Sequence, residues 1–304
     1  MQGRFSSMRV FLTGATGFVG SHILPELLAA GHQVLGLTRS DAGAAALAAA
    51  GAEAWFGDID DTDGLRRAAT ACDAVIHTAF DHDFTRYAEN CRRDALAIAA
   101  LGAALEGSDR PLLITSATPM GAGAPGQPAL EENFDAGHPL PRIASEVAGQ
   151  ALLARGVNLS VVRLSQIHDR RKQGLVSEMI ALARRSGVSA MLGEGLNPWS
   201  AAHVSDTARL YRLALEKGEA GARYHATTEG AIPFRDIARA VGARLGLPVV
   251  SLEGAEAAAH FGWLMAFAGK DLSASSARTR ALLGWRPEGP GLLTDLAALE
   301  LAGA

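Results

Sequence analysis

Met8-Arg-Val-Phe-Leu-Thr-Gly-Ala-Thr-Gly-Phe-Val-Gly20 is the stretch from which the rest of the chain can be read. A short run rich in β-branched and aromatic side chains ends at Thr13, and glycines follow at 14, 17 and 20 as the chain enters the amphipathic segment Ser21 to Ala30. The pattern predicts a strand, a tight turn and a helix. In that setting Gly14 serves the turn, Gly17 lets backbone approach a diphosphate, and Gly20 lets the helix pack closely on the strand. Thr16, Phe18 and Val19 fill the turn, and the helix start behind them offers unpaired N–H groups and a positive dipole end to phosphates. A glycine triplet alone could serve packing only; its place at the first strand-to-helix turn makes it a dinucleotide cradle.

Downstream, short β-rich runs alternate with helical patterns. Strands are expected at 9–13, 33–38, 52–56, 74–78, 112–115 and 158–165, with helices between them, including the alanine tract 42–50 and the segment 87–105. Strands that alternate with helices pair in parallel through right-handed crossovers. The expected fold is α/β, a doubly wound Rossmann-type parallel sheet with a smaller C-terminal substrate-binding lobe. Residues 8–165 form the dinucleotide-binding domain, with 203–226 returning to it. Residues 166–202 and 227–304 form the smaller lobe, and 1–7 a flexible leader.

The composition narrows the function. The chain has 304 residues, 48% of them hydrophobic, and a net charge of −4, with no dense Lys/Arg stripe for nucleic acid. No apolar run reaches spanning length and no signal peptide opens the chain, so neither a membrane nor export is expected and the cytoplasm is. Cys72 and Cys91 lack metal-ligand spacing and read as reduced, packed thiols. Asp81-His82-Asp83 is sequential on a loop, which suits helix capping better than a metal; no metal site is expected. Arg170-Arg171-Lys172 reads as a solvated loop.

Candidate site residues lie at the carboxyl ends of the expected strands, where open α/β sheets bind ligands. After the second strand, Arg39 stands where an acidic residue would meet a free ribose 2′-hydroxyl, with Ser40 beside it. A permanently charged guanidinium suits a 2′-phosphate, so NADP(H) is preferred over NAD(H). Asp58 and Ile59 follow the third strand, Asp58 placed to accept from an adenine amino group. Thr78 and Ala79 follow the fourth, Ala79 being small enough for a cofactor to pass. Ser116 ends the fifth, and Ser165 and Ile167 flank the cofactor at the end of the sixth. Residues 117–137 form a loop of the length used for lids and binding segments. His138 and Arg142 come next, four apart and therefore on one face if a helix already runs at His138. Pro139 and Pro141 work against that, since each biases the residue before it away from the helical region. Phe80, Met120 and Trp199 are candidates to line a substrate site that carries little charge.

Together these residues resemble the extended short-chain dehydrogenases/reductases. Thr13-Gly-Ala-Thr-Gly-Phe-Val-Gly20 is similar to their TGxxGxxG. Further matches are Gly57-Asp58, His77-Thr-Ala79, Asn90, Ser116, Arg163, His203-Val-Ser-Asp206 and Leu283-Gly-Trp-Arg-Pro287, which span most of the chain. The family's YxxxK pair is missing. Alignment on Glu146 puts Arg142 at the lysine position and His138 at the tyrosine position, as in an atypical subgroup with HxxxR.

The resemblance implies hydride chemistry with a nicotinamide cofactor. Histidine, unlike tyrosine, needs no neighbouring lysine to exchange a proton near neutrality. Arg142 cannot exchange one, so fixing the nicotinamide ribose and stabilising negative charge are its expected tasks. The leading expectation is an NADP(H)-dependent oxidoreductase that interconverts a ketone or aldehyde and an alcohol on a small apolar substrate, with Ser116 and His138 polarising the oxygen. One alternative is a sugar-nucleotide epimerase or dehydratase that retains its cofactor; another is a non-catalytic NADP(H) sensor. The family also implies a homodimer through the helices around 87–105 and 142–155.

Overall fold

The computed structural model describes residues 6–300; of the expected leader, residues 1–5 lie outside the described residues. Ser7 is tied back by its hydroxyl to the Gly31 carbonyl at 2.7 Å. The chain then runs β1 (Arg9–Thr13), α1 (Gly20–Ala29), β2 (Gln33–Thr38), α2 (Asp41–Ala49), β3 (Glu53–Phe56), α3 (Thr62–Thr70), β4 (Ala74–His77), α4 (Tyr87–Ala103), β5 (Leu112–Ala117), α5 (Ile143–Leu153) and β6 (Leu159–Leu164). It continues through β7 (Gln166–His168), α6 (Leu175–Ser186), β8 (Ser189–Leu192), β9 (Pro198–His203), α7 (Val204–Lys217), β10 (Arg223–Ala226), β11 (Glu229–Pro233) and α8 (Phe234–Leu245). The last elements are β12 (Val249–Leu252), α9 (Gly254–Phe261), α10 (Met265–Ala268), α11 (Ala277–Leu283) and α12 (Leu292–Ala297).

Seven parallel strands make the main sheet, in the order β10-β6-β5-β4-β1-β2-β3. Side chains alternate across it, so Val10 and Leu12 join Ile23, Leu27 and Leu210 on one face, while Phe11 joins Leu65, Ile98, Leu101 and Leu152 on the other. Burial on both faces is what near-continuous apolar strands require. The sheet order reverses between β1 and β4. Thr13 and His77 end these two strands side by side, so the ligand crevice of an open α/β sheet opens there.

Residues 204–226 belong to this sheet's layer, because β10 pairs with β6 and α7 packs on α1. The smaller lobe has a three-stranded sheet, β11-β9-β7, and a two-stranded one, β12-β8. Its own core gathers Val176, Trp199, Phe234, Ile237, Val241 and Leu296.

Three expectations are corrected. The helix after the long loop begins at Ile143, with Arg142 as its N-cap, so His138 lies on a turn outside it. Pro139 and Pro141 explain the delay. The loop 117–137 is fastened rather than free, since Ala129 bridges to Ala274, with Ala129 N–H donating to Ser273 O and Ser275 N–H to Ala129 O, both at 2.9 Å. Trp199 and Met120 are wholly buried, Trp199 in the middle strand of the small sheet with its ring edge-on to Phe234, and neither offers a face to a substrate.

Candidate active site and cofactor cradle

The turn after β1 has the shape its glycines suggest. Gly14 has φ +70°, and a Cβ there would stand 2.7 Å from Ala79 N and from Thr78 Oγ1. At Gly20 a Cβ would lie 2.0 Å from the Gly14 carbonyl, so any side chain would push α1 off β1. Gly17 differs: it is exposed, and a Cβ there would meet only Gly14 O at 3.1 Å. Its open side is where a ligand can come close to the backbone. No side chain caps α1 among the described residues, and although the Gly17 and Val19 carbonyls already take the N–H groups of Ser21, His22 and Ile23, the positive end of the helix remains open to an anion. These features fit a dinucleotide diphosphate.

Beneath the cradle runs a buried polar chain. Thr13 Oγ1 accepts from the N–H groups of Thr78 (3.2 Å) and Ala79 (3.3 Å) and lies 2.7 Å from His77 Nδ1. With both acceptances made, the Thr13 hydroxyl donates to Nδ1, which leaves the His77 proton on Nε2 and directs it at Asp94 Oδ1, 3.1 Å away. Asp94 Oδ2 accepts from Arg142 Nη1 at 2.6 Å and from Ser145 Oγ at 2.5 Å. Arg142 Nη2 donates to the Thr115 carbonyl at 2.7 Å, and the guanidinium lies 4.2 Å from the Phe80 ring centre. Burial opposes charge on Asp94, but Arg142 and the His77 bond outweigh it and hold the carboxyl at about 2. Arg142 is therefore an internal counter-ion with both terminal nitrogens engaged. The residue expected to fix the nicotinamide ribose and stabilise negative charge is thus turned inward on Asp94 and the Thr115 carbonyl.

The remaining candidates divide by where their polar atoms point. Arg39 is the most open, 79% exposed, at the end of β2, with Nη1 3.5 Å from Asp58 Oδ2. Asp58 also accepts the Asp60 N–H at 3.0 Å, and Ile59 packs on the α4-side core. Ser40 caps α2 by accepting from Gly43 N at 3.1 Å. Thr78 Oγ1 donates to Thr13 O, and Ser165 Oγ to Ala226 O. Ile167 is buried in the main core, so it does not reach the cofactor crevice. Thr16 is exposed, and Phe18 and Val19 are half-buried against that core.

Ser116 Oγ is buried at the end of β5 and makes no hydrogen bond within 3.5 Å among the described residues, but it faces the Glu146 carboxylate and helps to hold that group ionised. A hydroxyl so loosely engaged can turn to donate to a ligand. His138 is half-exposed on its turn, and its Nδ1 accepts from Leu140 N at 3.2 Å, which leaves the proton of the neutral ring on Nε2. No hydrogen bond among the described residues joins His138 to Ser116 or Arg142.

A second buried group explains three of the sequence matches. Arg163, with no exposed surface, forks onto Glu146 at 2.7 and 2.8 Å and also bonds the carbonyls of Leu130 and Asn133, so it fastens the long loop to α5. Burial pushes the Glu146 carboxyl up, yet Arg163 holds it below its ordinary value. Asp206, at the start of α7, accepts from the N–H groups of Glu288 and Gly289, and its carbonyl from Trp285 Nε1. These residues are architectural. Cys72 and Cys91 are buried and unpaired, and burial pushes both thiols up to about 11.

Sequence reasoning missed Asp94, Ser145 and the role of His77. A signal existed: Asp94 falls three residues after Cys91 and four before Ile98, on the buried stripe of α4, where an acidic residue needs a partner.

The model of the NAD dependent epimerase/dehydratase family matches residues 10–227, from β1 through β10. The chain belongs to this family. Two proteins resemble it over most of their length. An uncharacterized protein of Schizosaccharomyces pombe is 44% identical over 292 residues, covering 96% of this chain and 99% of the other. A 4-hydroxy-2-methyl-3-oxo-4-farnesyl-3,4-dihydroquinoline-1-oxide ketoreductase of Stigmatella aurantiaca is 26% identical over 270 residues, 84% of this chain and 80% of the other. Among solved structures, the dTDP-glucose 4,6-dehydratase of Streptomyces venezuelae with NAD bound superposes with a TM-score of 0.76 at 21% identity, covering 96% of this chain and 95% of that one. At that identity the likeness shows the fold of this epimerase/dehydratase family member, a seven-stranded parallel Rossmann-type sheet.

Proposed function

We propose that this protein is an NADP(H)-dependent oxidoreductase interconverting a ketone or aldehyde and an alcohol on a small apolar substrate. The observation that carries the substrate reading is the state of its buried guanidiniums. Arg142 is paired with Asp94 and Arg163 with Glu146, so neither is spare for a sugar diphosphate, while the ring lying against Arg142 is that of Phe80. The ketoreductase relative supports carbonyl reduction over epimerisation. When bound, the cofactor supplies or accepts hydride.

The chain's own groups do the rest. The open face of Gly17 and the start of α1 hold the diphosphate, and Arg39 meets the 2′-phosphate. Ser116 Oγ donates to the carbonyl oxygen. His138 Nε2–H donates a second hydrogen bond to that oxygen, help worth roughly 10² to 10³ in rate, and the proton that completes the alcohol is drawn from water. Arg142 contributes a fixed positive charge behind the site, close to where negative charge develops. The protein acts as a homodimer through α4 and α5, whose outer faces expose Leu96 at 64% and Val147 at 41%; Leu96→Glu should yield a monomer in sedimentation, and an unchanged dimer would discard that interface.

Consumption of NADPH over a panel of ketones tests the reading, with UDP-glucose as the competing substrate class. Ser116→Ala should lower kcat about 10²-fold at unchanged NADPH affinity. An unchanged kcat would remove Ser116 from the chemistry. Absence of turnover with every substrate, with unchanged NADPH affinity in His138→Ala, would instead favour a non-catalytic sensor.

A further inference from the structure

The chain contains ten Phe, four Trp and three Tyr, and its two cores are filled mainly with Leu, Val, Ile and Ala. The aromatic residues that serve those cores, such as Trp199, Trp285, Tyr211 and Phe234, are wholly buried. Nine others among the described residues are not, and five of these are clustered. Phe80, Phe84, Tyr87, Trp263 and Phe267 form one continuous group, each partly accessible, with His82 at its edge. Phe84 and Trp263 stack with ring centres 4.5 Å apart and planes 9° from parallel, and Trp263 is 38% exposed. Phe267 stands edge-on to both, and Tyr87 lies 5.4 Å from Phe84 and 6.3 Å from Phe80.

The position of this group matters more than its size. Phe80, Phe84 and Tyr87 belong to the segment leaving β4, whose end forms one side of the cofactor crevice, and Trp263 and Phe267 belong to the smaller lobe. The rings thus bridge the two lobes. Their inner end is Phe80, next to Ala79 in sequence and lying against the Arg142 guanidinium. Aromatic rings left partly wet cost free energy that aliphatic packing would avoid, and their quadrupoles reward a planar partner set face-on or edge-on.

Resting on the oxidoreductase reading above, we propose that this group is the substrate wall, and that the substrate class is planar aromatic carbonyl compounds whose ring packs against Phe84 and Trp263 while the carbonyl is directed inward past Phe80. A saturated ring of the same size would find area but no stacking, and a sugar would leave its hydroxyls facing carbon.

Calorimetric titration of acetylnaphthalene into protein saturated with NADP⁺, where no turnover occurs, tests this. Saturable binding is expected, about tenfold tighter than acetyldecalin. Phe84→Leu and Trp263→Leu should each weaken it about tenfold and leave NADP⁺ affinity unchanged, while Trp263→Phe, which keeps a ring, should restore most of it. Equal affinities for the two ketones, or no loss in either leucine variant, would overturn the proposal. The oxidoreductase reading fails separately. Acetylnaphthalene bound as expected, yet with no NADPH consumed, upholds the wall and removes the reductase. NADPH-driven reduction of acetyldecalin with a KM unchanged in Trp263→Leu keeps the reductase and overturns the wall.

Discussion

Replacing Arg142 by methionine separates an internal counter-ion from a ligand-binding arginine. Its Nη1 lies 2.6 Å from Asp94 Oδ2, and both side chains are buried. At an effective dielectric of about 20, charges at that separation attract by roughly 6 kcal/mol. Desolvation of the two ions consumes most of this, so the net value of the pair is small. Loss of one partner is different, because it strands the other charge in the interior at a cost of about 3–5 kcal/mol. For a chain of this size that corresponds to a fall in Tm of roughly 5–8 °C. The double variant Asp94→Leu/Arg142→Met should lose less than the sum of the single variants, with a coupling of up to about 3 kcal/mol. Thermal unfolding followed by circular dichroism reads all three. The same pair sets a pH dependence. The Asp94 carboxyl is held at about 2, below its ordinary 3.8, so its stabilisation is present above about pH 4 and is lost as pH falls through 2. A Tm within about 2 °C of wild type for Arg142→Met, together with a large loss of NADPH affinity, would refute the buried-pair reasoning and return Arg142 to the ribose.

Other expectations follow from the cradle and the second buried group. Arg39→Ala should weaken NADPH binding by roughly 10- to 100-fold, the value of a charged hydrogen bond, and NADH binding hardly at all; equal losses in titrations would remove the argument for the 2′-phosphate. Gly14→Ala places a side chain at φ +70° with its Cβ against Ala79 N, so it should cost at least about 1–2 kcal/mol of stability and most cofactor affinity; wild-type NADPH binding would contradict the tight turn. Burial and the Arg163 charge hold the His225 ring down to about 3, so its stabilisation is complete above about pH 6.5 and declines as pH falls towards 3. His225→Gln should therefore flatten the profile of Tm against pH between about 6 and 4, and an unchanged slope would show that the imidazole does not control it.

Much of this molecule could be read locally. The turn at 14–20 depends on backbone geometry and close approach that only glycine supplies, so three residues told both the strand-helix unit and its ligand class. Alternating patterns likewise placed β1 to β6 within a residue or two. What could not be read depended on distant partners. Trp199 was a candidate to line the substrate site, yet β9 is made by β7 and β11 closing on either side of it. The spacing of His138 and Arg142 suggested a shared helical face, but it carried no information about Asp94, 48 residues earlier, which turns the guanidinium inward. The aromatic wall joins residues 80–87 to 263–267, and no local pattern predicts that meeting.

The most direct test of the account is the absorbance of reduced nicotinamide, followed as the protein is mixed with NADPH and either acetylnaphthalene or UDP-glucose. Loss of NADPH with the ketone, one alcohol formed per NADPH consumed and no reaction of the sugar nucleotide is the predicted result. Unchanged NADPH with the ketone, alongside conversion of UDP-glucose by protein that keeps its cofactor bound, would contradict it.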